Sequence, residues 1–400
     1  MLVLFIVNVS FAQVTPENRL KIFKQVWETI NDKYYDEKFN GVDWKNVKTI
    51  YQPKVETAKT DDEFYGVIKE MVRELKDAHT RFRTPTEAEL RRKKQFSSID
   101  LGVEEVDGKL VIKWVRAGSD EEKAGVKAGM IVTVIDGKNS SERMNELKQL
   151  LKSSSEQAVS ALATRLLFSG DVGTIIKLSL VDINNKPLDV SLTRRIFNQS
   201  FDIVSQKFPN NIGYIKFNTF NGKMADKMKT AILGLKDTQG LIIDLRDNGG
   251  GELNFVKKIA GWLVDKKTSF GKMQRRSKEP NEIFVGSDKS QIYASPIAIL
   301  IDKDSASGSE LLSQGLQESN RVKVFGSTSC GCLLGIAGAK EIKDGELEFS
   351  QIGFISAKGK IVEGTGVVPD SIIDVQIPDF QTGNDRILNE AIKYLTKKNP

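Results

Sequence analysis

The segment Gly240-Leu-Ile-Ile-Asp-Leu-Arg-Asp-Asn-Gly-Gly-Gly251 decides the fold of the second half of this chain. It begins as a short apolar run, which is typical of a strand buried on both faces, and it ends in three glycines. The sequence then predicts a helix from about Glu252 to Leu263. The segment therefore indicates a strand, a glycine-rich turn and a helix in succession.

A second segment repeats this plan further along the chain. Pro296-Ile-Ala-Ile-Leu-Ile-Asp302 predicts another buried strand, which turns through Lys303-Asp-Ser-Ala-Ser-Gly308 into a helix over Ser309 to Glu318. Together with a strand over residues 212–217, the two units predict an α/β core spanning residues 197–400. In such a core the functional site lies at the C-terminal ends of the strands.

The first half of the chain shows two other patterns. Thr15-Pro16 and the capping box Thr60-Asp-Asp-Glu63 each begin an amphipathic helix, so residues 13–96 predict a helical N-terminal region. From residue 97 to 196 the apolar period changes to two, with short strands between glycine-containing turns and a longer helical stretch over 139–168. The predicted fold class is therefore α+β and multidomain.

Composition excludes several functional classes. The 400 residues are 40% hydrophobic, which is ample for buried cores and excludes disorder throughout. The 59 basic and 53 acidic side chains leave a net charge of +6 with no concentrated basic block, so we expect no nucleic-acid partner. Two cysteines and one histidine cannot form a zinc site of the usual kind, and we expect no bound metal.

The first twelve residues resemble a signal peptide. Met1 to Val9 is almost continuously apolar, and Ser10-Phe-Ala-Gln13 places small residues for a cut after Ala12, although the positively charged start is missing. The run is too short to span a bilayer. We expect export to the periplasm, the cell surface or the medium; the alternative is a frayed apolar N-terminus of a cytoplasmic protein.

The two turns of the core offer groups for nucleophilic catalysis. A serine at the point where a strand passes into a helix has an exposed hydroxyl, and the helix N-terminus supplies free N–H groups for an oxyanion. Ser307 and Gly308, facing Gly249 or Gly250, would provide a nucleophile and an oxyanion hole. Serine and glycine also populate ordinary turns, so the spacing alone does not establish this function.

Several sequence blocks resemble the C-terminal-processing (tail-specific) and tricorn-core serine peptidases. The core blocks are the glycine segment quoted first, Asp304-Ser-Ala-Ser-Gly-Ser-Glu310 and Gly364-Thr-Gly-Val-Val-Pro-Asp370. The N-terminal blocks are Tyr34-Tyr-Asp, Gly41-Val-Asp-Trp44 and Leu75-Lys-Asp-Ala-His-Thr80. The resemblance implies a ClpP/crotonase-like catalytic core, and it covers most of residues 20–375.

Residues 97–196 resemble a PDZ module with an insertion. In that family, the stretch equivalent to Leu101, Gly102 and Val103 binds the C-terminal carboxylate of a peptide through backbone N–H groups. The neighbouring strand edge then takes up the peptide as an additional strand. The resemblance therefore implies that this module binds the C-terminal tails of substrates.

The resemblance assigns catalytic roles position by position. Ser307 takes the place of the nucleophile, but Cys332 stands where the tail-specific branch has its basic lysine. A thiol cannot replace the amine as a base unless it is ionised. The other branch uses a histidine from an Asp-x-His-Thr motif, and His79, the only histidine, occupies that position with an unperturbed pKa near ~6.5 that suits a general base.

The group that would orient His79 is less clear from the sequence. The tricorn-core pattern has a serine immediately before the histidine, whereas this chain has Ala78. The carboxylates of Glu363 and Glu318 lie in regions that the family places near the site, and we take Glu363 as the third catalytic residue. Asp244 and Arg246 are expected to be structural, with the arginine bracing the glycine turn.

Cys330 and Cys332 allow two interpretations. In an exported protein the pair can close a small disulfide near Ser307, which would act as a redox-sensitive constraint. The alternative is two free or buried thiols, which thiol titration would detect.

The sequence therefore predicts an exported serine endopeptidase, a hydrolase that acts on peptide or protein substrates without a metal or organic cofactor. One alternative is an inactive peptide-binding scaffold with the same fold, prompted by Cys332 and Ala78. A second is a carrier of hydrophobic ligands, because the retinoid-binding proteins of the eye share the core fold. The sequence does not indicate the oligomeric state.

Overall fold

A computed structural model describes residues 14–289, 291–343 and 345–397 of the chain. The expected signal peptide, residues 1–12, lies outside the described residues. The described part contains no helix that is both long enough and apolar enough to cross a membrane.

The N-terminal region is mostly helical, as predicted. Its elements are α1 (Pro16–Lys33), α2 (Trp44–Thr57), α3 (Asp61–Arg73), β1 (Arg81–Arg83) and α4 (Pro85–Arg92). Thr15 caps α1, and the predicted capping box of Thr60 and Glu63 begins α3. The sequence analysis did not predict α2, which the Asp43 side chain caps. The apolar faces of these helices form one core that includes Phe23, Ile30 and Phe64.

The second region is built on an antiparallel sheet with three helices. Its elements are β2 (Gln95–Ser98), β3 (Leu101–Val106), β4 (Lys109–Val115), α5 (Asp120–Lys123), β5 (Ile131–Ile135), β6 (Lys138–Asn139), α6 (Ser140–Leu150), α7 (Glu156–Phe168), β7 (Ile175–Val181), β8 (Pro187–Thr193) and β9 (Arg195–Asn198). The strand order is β3-β4-β5-β7-β8, so β3 lies at an edge. The strands β2 and β9 pair with each other where the chain enters and leaves this region. The short helix α5 begins after Ser119, whose side chain caps it.

The third region contains the alternating strands and helices. Its elements are β10 (Ile203–Lys207), β11 (Ile212–Phe217), α8 (Ala225–Gly234), β12 (Gly240–Asp244), α9 (Leu253–Gly261), β13 (Thr268–Arg275), β14 (Lys278–Val285), β15 (Ile297–Ile301), α10 (Gly308–Glu318), β16 (Val322–Gly326), β17 (Leu334–Gly335), β18 (Lys340–Ile342), β19 (Gly345–Glu348), β20 (Ile352–Ile355), β21 (Ser371–Ile372), α11 (Ile377–Thr382) and α12 (Arg386–Lys397).

The main sheet of this region places the two predicted turns side by side. Its order is β10-β11-β12-β15-β16-β21, with parallel pairing from β11 to β21 and an antiparallel β10 at the edge. Strands β12 and β15 are neighbours, and all five residues of each are buried, as their apolar sequences predicted. The glycine turn after β12 and the serine turn after β15 therefore leave the same edge of the sheet.

A strand pairing between the first and third regions determines where the Asp-x-His-Thr turn lies. Strand β1 pairs antiparallel with β19, with Phe82 opposite Leu347, and both side chains belong to the N-terminal core. The backbone N–H of Ser350 also donates to the Thr80 hydroxyl over 3.1 Å. A hairpin from the third region thereby holds the turn that carries His79, and sequence reasoning did not predict this contact.

Candidate active site

Ser307 lies at the N-terminus of α10 in an unusual backbone conformation. Its φ of 53° and ψ of −111° are disfavoured for a residue with a side chain, so the surroundings must hold it in place. Its N–H is directed at two acceptors, the Cys332 carbonyl oxygen at 3.1 Å and Glu310 Oε2 at 2.9 Å. The conformation of the predicted nucleophile is thus fixed by contacts from two segments.

The glycine turn after β12 packs directly against the serine turn. The Asn248 carbonyl oxygen accepts from the Ala306 N–H at 3.0 Å and from the Ser309 hydroxyl at 2.8 Å. A Cβ atom on Gly250 would lie 2.6 Å from the Ser307 Cβ and from the Gly308 nitrogen, and the φ of Gly250 is +92°. Only glycine permits both this conformation and this close approach.

Some backbone N–H groups around Ser307 already donate a hydrogen bond within the protein, and others do not. Among the described residues, the N–H groups of Gly308 and Gly249 have no hydrogen-bond acceptor. The N–H of Gly250 donates to Asn248 Oδ1 at 2.9 Å, so of the two expected alternatives Gly249 remains available. Gly251, which sequence reasoning did not single out, lies close by: its nitrogen is 3.2 Å from where a Cβ of Gly308 would be.

Glu310 was not considered in the sequence analysis, yet its carboxylate lies behind the serine turn. It is completely buried and accepts hydrogen bonds from the Ser329 hydroxyl and from three backbone N–H groups, those of Ser307, Gly331 and Cys332. Burial raises the pKa of this carboxyl to about 7, against the opposing effect of the four donors. The spacing Ser307-x-x-Glu310, which matches a capping box, is the sequence signal that could have identified it.

His79 lies in a turn whose backbone is organised by Asp77. Asp77 Oδ1 accepts from the His79 N–H at 2.7 Å, and Oδ2 accepts from the hydroxyls of Tyr34, at 3.1 Å, and Thr80. Burial lowers the pKa of the imidazole, and the nearby Asp77 carboxylate opposes that shift. A histidine with a lowered pKa is neutral at pH 7, which is the form that a general base requires.

The turns that carry His79 and Ser307 meet at a small apolar cluster formed by Ala158, Cys330 and Cys332. Ala78, immediately before His79, and Ala306, immediately before Ser307, both pack against this cluster. The two candidate catalytic turns, more than two hundred residues apart in sequence, therefore lie against the same group of side chains.

Two serines at the start of α7 hold this arrangement from the second region. Ser154 Oγ accepts from the Ala78 N–H at 2.9 Å, and the Ser155 hydroxyl donates to the Cys330 carbonyl oxygen. The turn that carries His79 and the loop at residues 329–332, called the cysteine loop below, are thus both fixed to the N-terminal end of α7.

The two glutamates that the sequence suggested as the third catalytic residue, Glu318 and Glu363, lie in different places. Glu318 is at the far end of α10, where it accepts from the Ser356 hydroxyl at 2.7 Å and the Lys358 N–H at 3.0 Å. Glu363 adjoins the cysteine loop, because the N–H of Gly364 donates to the Gly331 carbonyl oxygen at 2.9 Å. Burial, reinforced by Asp77, raises the pKa of Glu363 to about 9.

Glu363 and His79 both bury polar atoms. The Nδ1 of His79 has no hydrogen-bond partner among the described residues. The Ser154 hydroxyl and the Leu333 N–H act on the Glu363 carboxyl, and their hydrogen bonds lower its pKa against the larger effect of burial. Buried polar groups are normally paired, so unpaired ones mark a place where a water molecule or a substrate group is expected.

Cys330 and Cys332 form a disulfide, with their Cα atoms 5.2 Å apart. The first of the two interpretations of the pair is therefore the one the structure contains. Both residues are buried. Cys332 cannot act as an ionised thiol while it is bonded in this way.

The residues expected to be structural in the glycine block do form a brace. Arg246 Nε donates to Asp244 Oδ1 at 2.9 Å, and its two terminal nitrogens each lie 2.8 Å from a carboxylate oxygen of Asp385. This arginine ties the end of β12 to the start of α12.

One group of carboxylates has a spacing compatible with a cation. The side chains of Asp247, Asp302 and Asp304 approach within 4.8 Å of one another. The ammonium of Lys113, from β4, lies 2.5 Å from Asp247 and 3.4 Å from Asp302, so a lysine already provides the positive charge there. These contacts also join the second region to the glycine turn.

The expected peptide-binding residues Leu101, Gly102 and Val103 lie in β3. This strand pairs with β4 on one side and forms the edge of its sheet on the other. The Trp114 indole covers Gly102, since a Cβ there would be 2.3 Å from the indole nitrogen. An open strand edge is the feature to which an extended peptide adds.

Two family models match the chain. Residues 211–373 match Peptidase family S41, and residues 15–73 match the tricorn protease C1 domain. A carboxy-terminal processing protease CtpA of Bacillus subtilis is 26% identical over 86% of this chain and 70% of its own length. A probable CtpA-like serine protease of Staphylococcus haemolyticus is also 26% identical, over 85% of this chain but only 64% of its own length.

Two solved structures show a similar fold. The photosystem II D1 C-terminal processing protease superposes with a TM-score of 0.58 at 22% identity, covering 89% of this chain and 93% of that one. Mature CPAF complexed with lactacystin superposes with a TM-score of 0.76 at 13% identity, covering 96% and 99%. At these identities the likeness concerns the fold.

Proposed function

The chain belongs to the C-terminal-processing and tricorn-core family of serine peptidases, and on that basis we propose that it is an exported endopeptidase that uses Ser307 and His79. The observation that carries this proposal is the common packing of Ala78 and Ala306 against the cysteine loop. It brings the turn of the only histidine next to the turn of the predicted nucleophile.

The chemistry follows from the groups at the two turns. Neutral His79 takes the proton of the Ser307 hydroxyl as the oxygen attacks the carbonyl carbon of the scissile peptide bond. The protonated imidazole then gives that proton to the leaving amine, which leaves an acyl-enzyme for water to hydrolyse by the same steps. The N–H groups of Gly308 and Gly249 stabilise the oxyanion, each contributing on the order of 3 kcal/mol.

In this proposal Glu363 is the third catalytic residue. Its carboxyl and the unpaired Nδ1 of His79 are both buried, and Asp77 affects the pKa of each group. With its pKa raised to about 9, this carboxyl is neutral at pH 7. It therefore acts by hydrogen bonding: a carboxyl oxygen that accepts from the Nδ1–H holds the imidazole in the tautomer whose Nε2 takes the serine proton.

Substrate binding and domain organisation complete the proposal. Residues 97–196 act as a PDZ-like module, in which Leu101, Gly102 and Val103 bind the C-terminal tail of a peptide or protein substrate. The open edge of β3 supports this, because the described part of the chain supplies no second partner strand there. Residues 13–96 contribute His79, and residues 197–400 form a ClpP/crotonase-like core that contributes Ser307. The apolar start of residues 1–12 supports export.

The proposal is tested with a panel of unfolded proteins incubated with the wild type and with Ser307→Ala. We expect cleavage by the wild type only, and faster cleavage when the substrate ends in a free apolar C-terminal tail than when the tail is amidated. Cleavage by Ser307→Ala would refute the assigned nucleophile. Binding of tails without any cleavage by the wild type would instead identify an inactive scaffold.

A further inference from the structure

Glu310 is enclosed in a way that ordinary helix capping does not require. A capping carboxylate needs to reach only the N–H at the start of its own helix, which here is that of Ser307. Glu310 accepts three further hydrogen bonds from the loop at residues 329–332: from the Ser329 hydroxyl at 2.6 Å, the Gly331 N–H at 2.7 Å and the Cys332 N–H at 3.0 Å. One side chain therefore connects the nucleophile turn to a second segment.

The same loop continues the connection to the segment that carries Glu363. The Ser329 hydroxyl, which donates to Glu310, accepts from the Val367 N–H at 2.7 Å. The Gly331 carbonyl oxygen accepts from the Gly364 N–H at 2.9 Å. Two residues that follow Glu363, Gly364 and Val367, are thus hydrogen-bonded to residues that Glu310 holds.

All four partners of this buried carboxylate are neutral donors. Among the described residues Glu310 forms no salt bridge, although burying a carboxylate without a cation costs several kcal/mol before hydrogen bonds compensate. A leucine or methionine would fill an apolar site in a helix without that cost. What the carboxylate adds is the ability to accept bonds from two backbone segments at once and to fix their separation.

The backbone of Ser307 explains why such fixing is needed. A non-glycine residue at φ 53° and ψ −111° costs on the order of 1–3 kcal/mol and persists only where its neighbours determine it. Glu310 Oε2 binds the N–H of Ser307 itself and that of Cys332, whose carbonyl oxygen also accepts from Ser307. If the hydrogen bond between the Ser307 N–H and Glu310 is lost, the serine turn can relax toward an ordinary backbone conformation.

We propose that Glu310 is a positioning residue for peptide hydrolysis, which holds the Ser307 turn in its reactive conformation and fixes the loop that supports Glu363. This inference rests on the proposed function. Glu310 acts through Ser307 and the 329–332 loop, and its carboxylate takes no part in bond making or breaking.

The test compares Glu310→Gln with Glu318→Gln, which makes the same replacement on the same helix at a glutamate remote from Ser307. In Glu310→Gln an NH2 group faces donors, so the turn loses at least one hydrogen bond and shifts. With a fluorogenic peptide we expect kcat to fall about 10- to 100-fold while KM stays within about threefold, since the peptide-binding surface is unchanged. Glu318→Gln is expected to retain wild-type kcat.

Two further measurements keep the outcomes distinct. The rate of Ser307 labelling by a fluorophosphonate should fall with kcat in Glu310→Gln, because labelling needs the same nucleophile. If Glu310→Gln does not fold, Ser329→Ala removes one donor to Glu310 together with the acceptor of the Val367 N–H, and it is expected to lower kcat about 3- to 10-fold at unchanged KM. Wild-type kcat in either folded variant overturns the inference, whereas activity that survives Ser307→Ala overturns the proposed function instead.

Discussion

The turns that carry Ser307 and His79 are built in opposite ways. Around Ser307 the backbone is strained, and it is held by hydrogen bonds that its N–H groups donate to Asn248, Glu310 and Cys332 and by the close approach of Gly250. Around His79 the backbone is well bonded through Asp77, but the buried Nδ1 of the ring has no partner among the described residues. The nucleophile is preorganised, whereas the base is left with an open hydrogen-bonding position.

The two turns also differ in which part of the molecule determines their position. The serine turn follows β15, a buried strand in the middle of the main sheet, so the core determines where this turn lies. The histidine turn comes from another region and depends on contacts made by β19 and by Ser154 of the second region. Changes on the serine side should therefore affect stability and activity together, and changes on the histidine side should affect activity with little effect on the fold.

The largest effect is expected for His79→Ala. Loss of the general base should lower kcat for peptide hydrolysis by roughly 10²- to 10⁴-fold. The unfolding temperature should change little, because the turn is held by the Asp77 carboxylate and backbone groups, and the Nδ1 of the ring has no hydrogen-bond partner in the part of the chain that the structure describes. Hydrolysis of a fluorogenic peptide and a thermal melt measure the two effects. Full activity in this variant would remove the histidine from the mechanism.

Two neighbouring glycines provide a matched pair on the serine side. Gly250→Ala would place a methyl group 2.6 Å from three atoms of residues 306–308 at a φ of +92°, so we expect a loss of stability of about 2–4 kcal/mol, accompanied by loss of activity. Gly249→Ala meets no atom within 4 Å and has no positive φ. It should cost under about 1 kcal/mol, measured by urea unfolding. Equal costs would contradict the close approach of the two turns.

A third prediction concerns Glu363, whose pKa is raised to about 9 by burial and by Asp77. A carboxyl whose folded pKa exceeds its unfolded value stabilises the fold at low pH, and this contribution is lost as the pH rises toward 9. Glu363→Gln cannot ionise and avoids the loss. Its unfolding temperature relative to wild type should therefore rise by at least about 2 °C between pH 5 and pH 9. A difference that does not vary with pH would show that Glu363 is not buried as described.

Apart from the Gly249→Ala control, the smallest effect is expected for the disulfide. Closing a three-residue loop restricts the unfolded chain little, so replacing both Cys330 and Cys332 by alanine should cost about 1.6 kcal/mol from chain entropy. Thiol titration of the denatured, unreduced protein should find no free thiol. Two free thiols in the protein isolated from an oxidising compartment would show that the bond does not form.

The sequence predicted the serine side in more detail than the histidine side, for a physical reason. Apolar runs and glycine turns are local signals, so β12, β15 and α10 could be placed to within one or two residues. The position of His79 depends on the pairing of β1 with β19, which joins segments far apart in sequence and leaves no periodic signal. The same limitation hid the contacts of Glu310, since a buried carboxylate is recognised by its partners rather than by its neighbours in sequence.

The central claim is that His79 activates Ser307, and the rate at which a fluorophosphonate labels Ser307 tests it most directly. Mass spectrometry of the labelled peptide identifies the modified residue, and the rate is compared between wild type and His79→Ala at pH 7. We predict that wild type is labelled at Ser307 and that His79→Ala is labelled at least about 100-fold more slowly. Equal labelling rates in the two proteins would contradict the claim.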